Sequence, residues 1–112
     1  MKISVIGAGY MGLSSSLCLA EMGHEVIQID IDLQKVDAIN SGRSPLIEPG
    51  FEDMLRRHSG HRLKATADYD SISSMEVCII CVNTPSSQKG EPDLSRIESA
   101  CRSIGYNLRS LF

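Results

Sequence analysis

Between an apolar run at the amino terminus and a stretch of helical periodicity stands Gly7-Ala8-Gly9-Tyr10-Met11-Gly12, a G-x-G-x-x-G turn. Few short motifs restrict a fold so tightly, because each glycine has a separate steric task. Gly7 permits a tight turn off the strand, Gly9 removes the Cβ that would keep backbone amides from an approaching anion, and Gly12 lets the following helix lie close on the sheet. The helix then turns its positive end to that anion. The surroundings agree with this reading. Met1 to Ile6 has the pattern of a strand, and from Tyr10 the apolar residues Met11, Cys18, Leu19 and Met22 recur at helical spacing up to Gly23, read as the C-cap.

Glu25-Val26-Ile27-Gln28-Ile29 predicts a second strand that ends at Asp30. An acid at that place is expected to accept hydrogen bonds from the adenine-ribose hydroxyls of a dinucleotide, each contributing roughly 1.5–3 kcal/mol. The same carboxylate would repel a 2′-phosphate. Ile31 follows it, where a site for that phosphate wants a cation, so NAD is the expected cofactor and NADP is not. Asp32 reads as the N-cap of a helix over Leu33 to Ile39, closed by Asn40-Ser41-Gly42. Lys35 lies one turn into that helix, and its position alone fits a solvated surface lysine as well as a cofactor ligand.

The stretch Ser44-Pro45-Leu46-Ile47-Glu48-Pro49-Gly50 predicts irregular backbone before a short helix over Phe51 to His58. Leu63 to Thr66 is a third strand, and Asp68 or Ser71 starts a brief helical turn. The fourth strand is read over Met75 to Val82. A polar loop from Asn83 to Pro92 leads to Asp93, expected to cap a long helix carrying Ile97, Ala100, Cys101, Ile104 and Leu108. Strands alternating with helices demand parallel pairing and right-handed crossovers. The expected fold is therefore α/β, a Rossmann-type doubly wound parallel sheet of strand order 3-2-1-4, incomplete at its C-terminal end, with residues 1–112 forming one domain. Ligands of such sheets bind where the order reverses, at the carboxyl ends of the first and fourth strands.

Charge and composition narrow the function classes further. A net charge of −3 with acids and bases interspersed leaves no basic stripe for a nucleic acid. No apolar run approaches the roughly 20 residues that span a bilayer, and no signal-peptide pattern precedes the first strand, so a cytoplasmic protein is expected. Cys78 and Cys81 make a C-x-x-C, but inside a strand residues three apart face opposite sides, which argues against a metal or redox pair. His24, His58 and His61 flank turns and are expected on the surface.

Several longer stretches resemble one family. Lys2 to Gly12, Asp30-Ile31-Asp32-Leu33-Gln34-Lys35, Asn40-Ser41-Gly42 with Ser44 to Phe51, and Val82-Asn83-Thr84-Pro85 leading to Gly90 and Asp93-Leu94 are similar to the UDP-glucose/GDP-mannose dehydrogenases. The resemblance implies oxidation of the C6 alcohol of a sugar nucleotide to a carboxylate with two NAD+, through a cysteine thiohemiacetal and thioester. It implies that Gly7, Gly9 and Gly12 shape the cofactor site, that Tyr10 and Met11 meet the pyrophosphate through their amides, and that Asp30 takes the ribose. Lys35 would lie beside the adenosine end, with Val82, Asn83 and Thr84 near the cofactor after the fourth strand.

Enzymes of this kind are longer, homodimeric, and carry their catalytic cysteine, lysine and aspartate in later segments. The chain is accordingly expected to be the N-terminal part of such an enzyme, with UDP-glucose the first substrate and GDP-mannose the alternative. No catalytic residue is assigned within it, and Cys18, Cys78, Cys81 and Cys101 are not taken as nucleophiles. A different class stays open beside this one, a complete non-catalytic NAD-sensing module. Both readings predict cofactor selectivity. Calorimetric titration should give tighter binding of NADH than of NADPH and weaker NADH binding by Asp30→Ala; equal affinity of the unaltered chain for the two dinucleotides would refute the role given to Asp30.

Overall fold

The computed structural model describes residues 1–86 and 88–108. Ser87 of the expected polar loop and residues 109–112 lie outside them. The first strand, β1, spans Lys2–Ile6, and the helix α1 spans Tyr10–Glu21. They are followed by β2 over Glu25–Ile29, α2 over Leu33–Asn40, α3 over Phe51–His58 and β3 over Leu63–Thr66. A 3₁₀ turn over Asp70–Ser74, β4 over Val77–Ile80 and α4 over Ser95–Leu108 complete the order.

The three pairings among these strands are parallel, in the order β3-β2-β1-β4, with Ile6 level with Ile29 on one side and with Ile80 on the other. Because β1 is covered on both faces, its apolar residues divide by the two-residue period of a strand. Ile3 and Val5 join Leu13, Leu17, Val36, Ile39 and Leu55 beneath α1, α2 and α3. Ile6 joins Ile29, Ile72 and Ala100 beneath the 3₁₀ turn and α4. Cys78 packs against the second cluster and Cys81 against the first, as the spacing argument required.

Local signals set most boundaries. Gly23, at φ +96°, follows α1 in the left-handed conformation that ends helices, and the Asp32 carboxylate caps α2 by accepting from the amides of Gln34 and Lys35. Asn40 closes α2 in another way. Its side chain donates to the Ala65 carbonyl at 2.9 Å and accepts from the Ala65 amide at 2.8 Å, so an asparagine takes the place of a neighbouring strand at that point of β3.

Five expectations need correction. The inner face of α1 is Leu13, Ser16, Leu17 and Ala20; Met11 and Met22 are 73% and 71% exposed, and Cys18 is exposed too. Hydrophobic spacing alone could not choose between two stripes on a helix that is apolar nearly all round. On α4, Cys101 is likewise exposed while Ala100 is buried. The strand β4 is shorter than Met75 to Val82: the Met75 amide closes the 3₁₀ turn onto Ile72, and beyond Ile80 the ladder survives as a single bond from the Cys81 amide to the Ile6 carbonyl. The turn itself begins at Asp70, with Asp68 outside it accepting from the Asp70 amide. Finally, His58 is not a free surface residue, since its side chain is 14% exposed and its Nε2 lies 2.9 Å from Glu21, whose same oxygen meets Arg57 at 2.6 Å. The His58 hydrogen bond, aided by the nearby charges of Arg57 and His58, holds the Glu21 carboxyl below its ordinary range.

The placement of the α1 face can be checked by denaturation. Leu17→Ala, at a residue 1% exposed, should cost about 2–5 kcal/mol of stability. Cys18→Ala beside it should change stability by no more than about 0.5 kcal/mol; a reversed order of the two would place the helix wrongly.

Candidate functional site: a crevice at the switch point

At the carboxyl ends of β1, β2 and β4 the chain leaves a crevice of about 390 Å³. Its floor is the turn after β1. Gly7 has φ +102°, and a Cβ there would stand 2.5 Å from the Cys81 carbonyl oxygen, so the turn can lie against the segment after β4 only with glycine. A Cβ on Gly12 would run into the Gly7 carbonyl and reach to 3.3 Å from the Cys81 Cβ. Gly9 differs from both, because an added Cβ there meets nothing within 4 Å. It caps α1 without a side chain, in extended backbone, and leaves the first-turn amides of the helix without a capping oxygen. Those amides and the helix dipole make a ready anion site.

Asp30 reaches across from the end of β2. Its Oδ2 accepts from the Ala8 amide at 2.7 Å and its Oδ1 from the Asp32 amide at 2.8 Å, which ties the glycine turn to the β2–α2 connection. Lys35 lines the same crevice from α2, and Val82 and Asn83 line it from beyond β4. The structure thus brings together Gly7, Gly9, Asp30, Lys35, Val82 and Asn83. Tyr10 and Met11 stand on the first turn of α1 with their side chains turned outward, and the Tyr10 hydroxyl donates to the Ile47 carbonyl at 3.4 Å. Gly12 is buried behind the turn, and Thr84 is exposed outside the crevice lining.

Residues from the other face were not anticipated. Arg96, Ser99 and Ala100 of α4, spaced to lie on one side of a helix, form a wall together with Tyr69. Arg96 matters to the electrostatics, since it brings a second cation to the crevice beside Lys35. Burial pushes the Tyr69 phenol above its ordinary pKa, with Cys78 and Asp30 adding to the effect, so its hydroxyl stays protonated at neutral pH. The thiols of Cys78 and Cys81 are pushed up as well, chiefly by burial, which leaves little thiolate.

Comparison with known proteins decides the family. The model of the UDP-glucose/GDP-mannose dehydrogenase family, NAD binding domain, matches residues 1–111. The chain belongs to that family. A GDP-mannose 6-dehydrogenase of Pseudomonas syringae pv. syringae is 45% identical over 111 residues, which cover 97% of this chain and 25% of the relative. The UDP-glucose 6-dehydrogenase AglM of Haloferax volcanii is 40% identical over 108 residues, covering 96% of the chain and 25% of AglM. A crystal structure of GDP-mannose dehydrogenase from Pseudomonas aeruginosa superposes with a TM-score of 0.93 at 43% identity, over 97% of this chain and 26% of that one. The chain therefore spans about a quarter of the length of these relatives. NAD is the cofactor of the matched domain, and the crevice suits it: an uncapped helix start, an open side at Gly9 and an acid at the end of β2.

The three glycines should respond differently to substitution. Gly9→Val should leave the family fold intact and abolish NADH binding, because the new methyl groups occupy open space over the turn. Gly7→Val should lower stability by about 3 kcal/mol or more through left-handed strain and the clash with the Cys81 carbonyl. Thermal melts and NADH titration of both variants separate the two effects; a folded Gly9→Val chain with unchanged NADH affinity would refute the placement of the pyrophosphate.

Proposed function

We propose that the chain, as one domain over residues 1–112, is the NAD-binding part of a nucleotide-sugar 6-dehydrogenase that oxidises a sugar C6 alcohol to a carboxylate with two NAD+. The observation that carries this reading is the convergence of the glycine turn, the uncapped start of α1 and Asp30 on one crevice at the β1–β4 switch point. In that crevice the amides of Tyr10 and Met11 hold the pyrophosphate. Asp30 accepts from the adenine-ribose hydroxyls with the lone pairs left over from Ala8 and Asp32, and Lys35 stands at the adenosine end. Val82, Asn83 and Thr84 follow the cofactor past β4. NAD supplies the hydride acceptor; the chain's residues bind and orient it.

GDP-mannose is the first substrate to test, because GDP-mannose 6-dehydrogenases reach 46% identity with this chain. UDP-glucose, expected from the sequence, follows on the 40% identity of AglM. The sugar-nucleotide contacts belong to later segments of a homodimeric enzyme working in the cytoplasm.

Hydride transfer needs the alcohol held against the nicotinamide and a base to take its proton. The crevice residues named here serve the cofactor alone. The purified chain should bind NADH yet produce none from NAD+ with GDP-mannose or UDP-glucose, followed by absorbance, whereas a longer protein carrying this chain should yield two NADH per sugar nucleotide. Turnover by the chain itself that vanishes on replacing any one of its cysteines with serine would overturn the division of labour. Oxidation of neither sugar nucleotide by the longer protein would overturn the proposed activity.

A further inference from the structure

Beneath the glycine turn lies a polar side chain that cofactor binding, as described above, does not use. Gln28 is 0% exposed, in the middle of a strand whose other inward residues are apolar. Buried amides persist where each of their groups finds a partner. Gln28 finds three. Its Oε1 accepts from the Ser16 hydroxyl at 2.5 Å, and its Nε2 donates to the Val5 carbonyl at 3.1 Å and to the Gly7 carbonyl at 2.7 Å.

The last of these bonds falls on a particular peptide unit. The carbonyl of Gly7 and the amide of Ala8 belong to one planar group and point in opposite directions. The carbonyl receives the Gln28 amide, while the Ala8 amide gives its hydrogen to Asp30 Oδ2 at 2.7 Å. The same carbonyl oxygen lies where a Cβ on Gly12 would be, so it has little room to swing. Gln28 lies on β2 and Asp30 follows the strand's last residue, Ile29, so the two stand two residues apart in the chain. The end of β2 and the residue just beyond it therefore grip both ends of one peptide plane.

We propose that Gln28 is a positioning residue of the dinucleotide site: from below the turn it fixes the Gly7–Ala8 peptide plane at its carbonyl, while Asp30 fixes the amide, so that the anion-receiving shape exists before the cofactor arrives. The inference rests on the NAD reading of the crevice. Binding then costs less ordering of the turn, which is the ordinary gain from preorganisation. Asp30 has two tasks on this view, holding the turn and receiving the ribose, and Gln28 makes the first of them possible by setting the direction in which the Ala8 amide points.

The test substitutes Gln28→Met, which keeps length and apolar bulk and removes both donors. In the folded variant the affinities for NADH and for ADP-ribose should fall together by about tenfold, because the turn serves the half of the cofactor that the two ligands share. Ser16→Ala, which leaves both Gln28 donors in place, should lower the melting temperature while changing NADH affinity by less than about twofold. Wild-type NADH affinity in a folded Gln28→Met chain would overturn the proposal. Should that variant fail to fold, hydrogen exchange in the free wild-type chain decides: the Ala8 amide and the Gln28 side-chain amide should both be protected. Gln28 side-chain exchange as fast as that of the exposed Gln34 would overturn it equally. Absence of any NADH binding by the wild-type chain would instead refute the cofactor reading, and the exchange measurement would still judge the clamp.

Discussion

Where β1 ends, three backbone segments come closer together than any side chain would allow. The Gly7 α-carbon abuts the Cys81 carbonyl, and the Gly12 α-carbon abuts the Gly7 carbonyl. Helix α1 can start directly above the carboxyl end of β1 only because both positions lack a Cβ, and its start sets the direction of the free amides. The segment after β4 can also pass close by, held by the bond from the Cys81 amide to Ile6 at 2.7 Å. The crevice is the space left above this contact. Its floor is backbone, so a ligand meets amide groups before it meets side chains.

Around that floor the charges alternate. Asp30 and Asp32 stand at the end of β2, Lys35 faces them from α2, and Arg96 comes from α4. The crevice holds cations as well as acids, since Lys35 and Arg96 line it together with Asp30 and Asp32. The Asp30 carboxylate is oriented by two amides, from Ala8 and from Asp32, and an oriented carboxylate meets a ribose diol with less ordering than a free one. The neutral Tyr69 phenol and the thiols of Cys78 and Cys81, all pushed up mainly by burial, add polar but uncharged surface to the region.

Elements governed by neighbours in the chain were legible from residue order. Strand β2 and helix α3 occupy the spans read from the pattern, and the Asp32 cap lies where its side chain can reach the Gln34 and Lys35 amides. Legibility failed where two faces competed. The residues Met11, Cys18 and Met22 repeat as regularly as Leu13, Leu17 and Ala20, yet the second set faces the sheet. Strand β4 is short because the Met75 amide is spent on the preceding turn. Of the site, the glycines, Asp30 and Lys35 were read from motif and family resemblance, while Tyr69, Arg96 and Ser99 carried no local signal. Gln28 did carry one, a lone amide in an apolar strand, which the strand pattern absorbed.

Residue order by itself determined the alternation of strands and helices, the sheet order and the glycine turn after the first strand, because each follows from backbone sterics and short-range periodicity. Tertiary structure alone decided which helix face is inner, which side chains of α4 wall the crevice, and how the Gly7–Ala8 peptide is held. Those outcomes depend on groups far apart in the chain, such as Ser16 with Gln28 and Ala8 with Asp30. A hydrogen bond between them exists only once the sheet has brought β1 and β2 side by side.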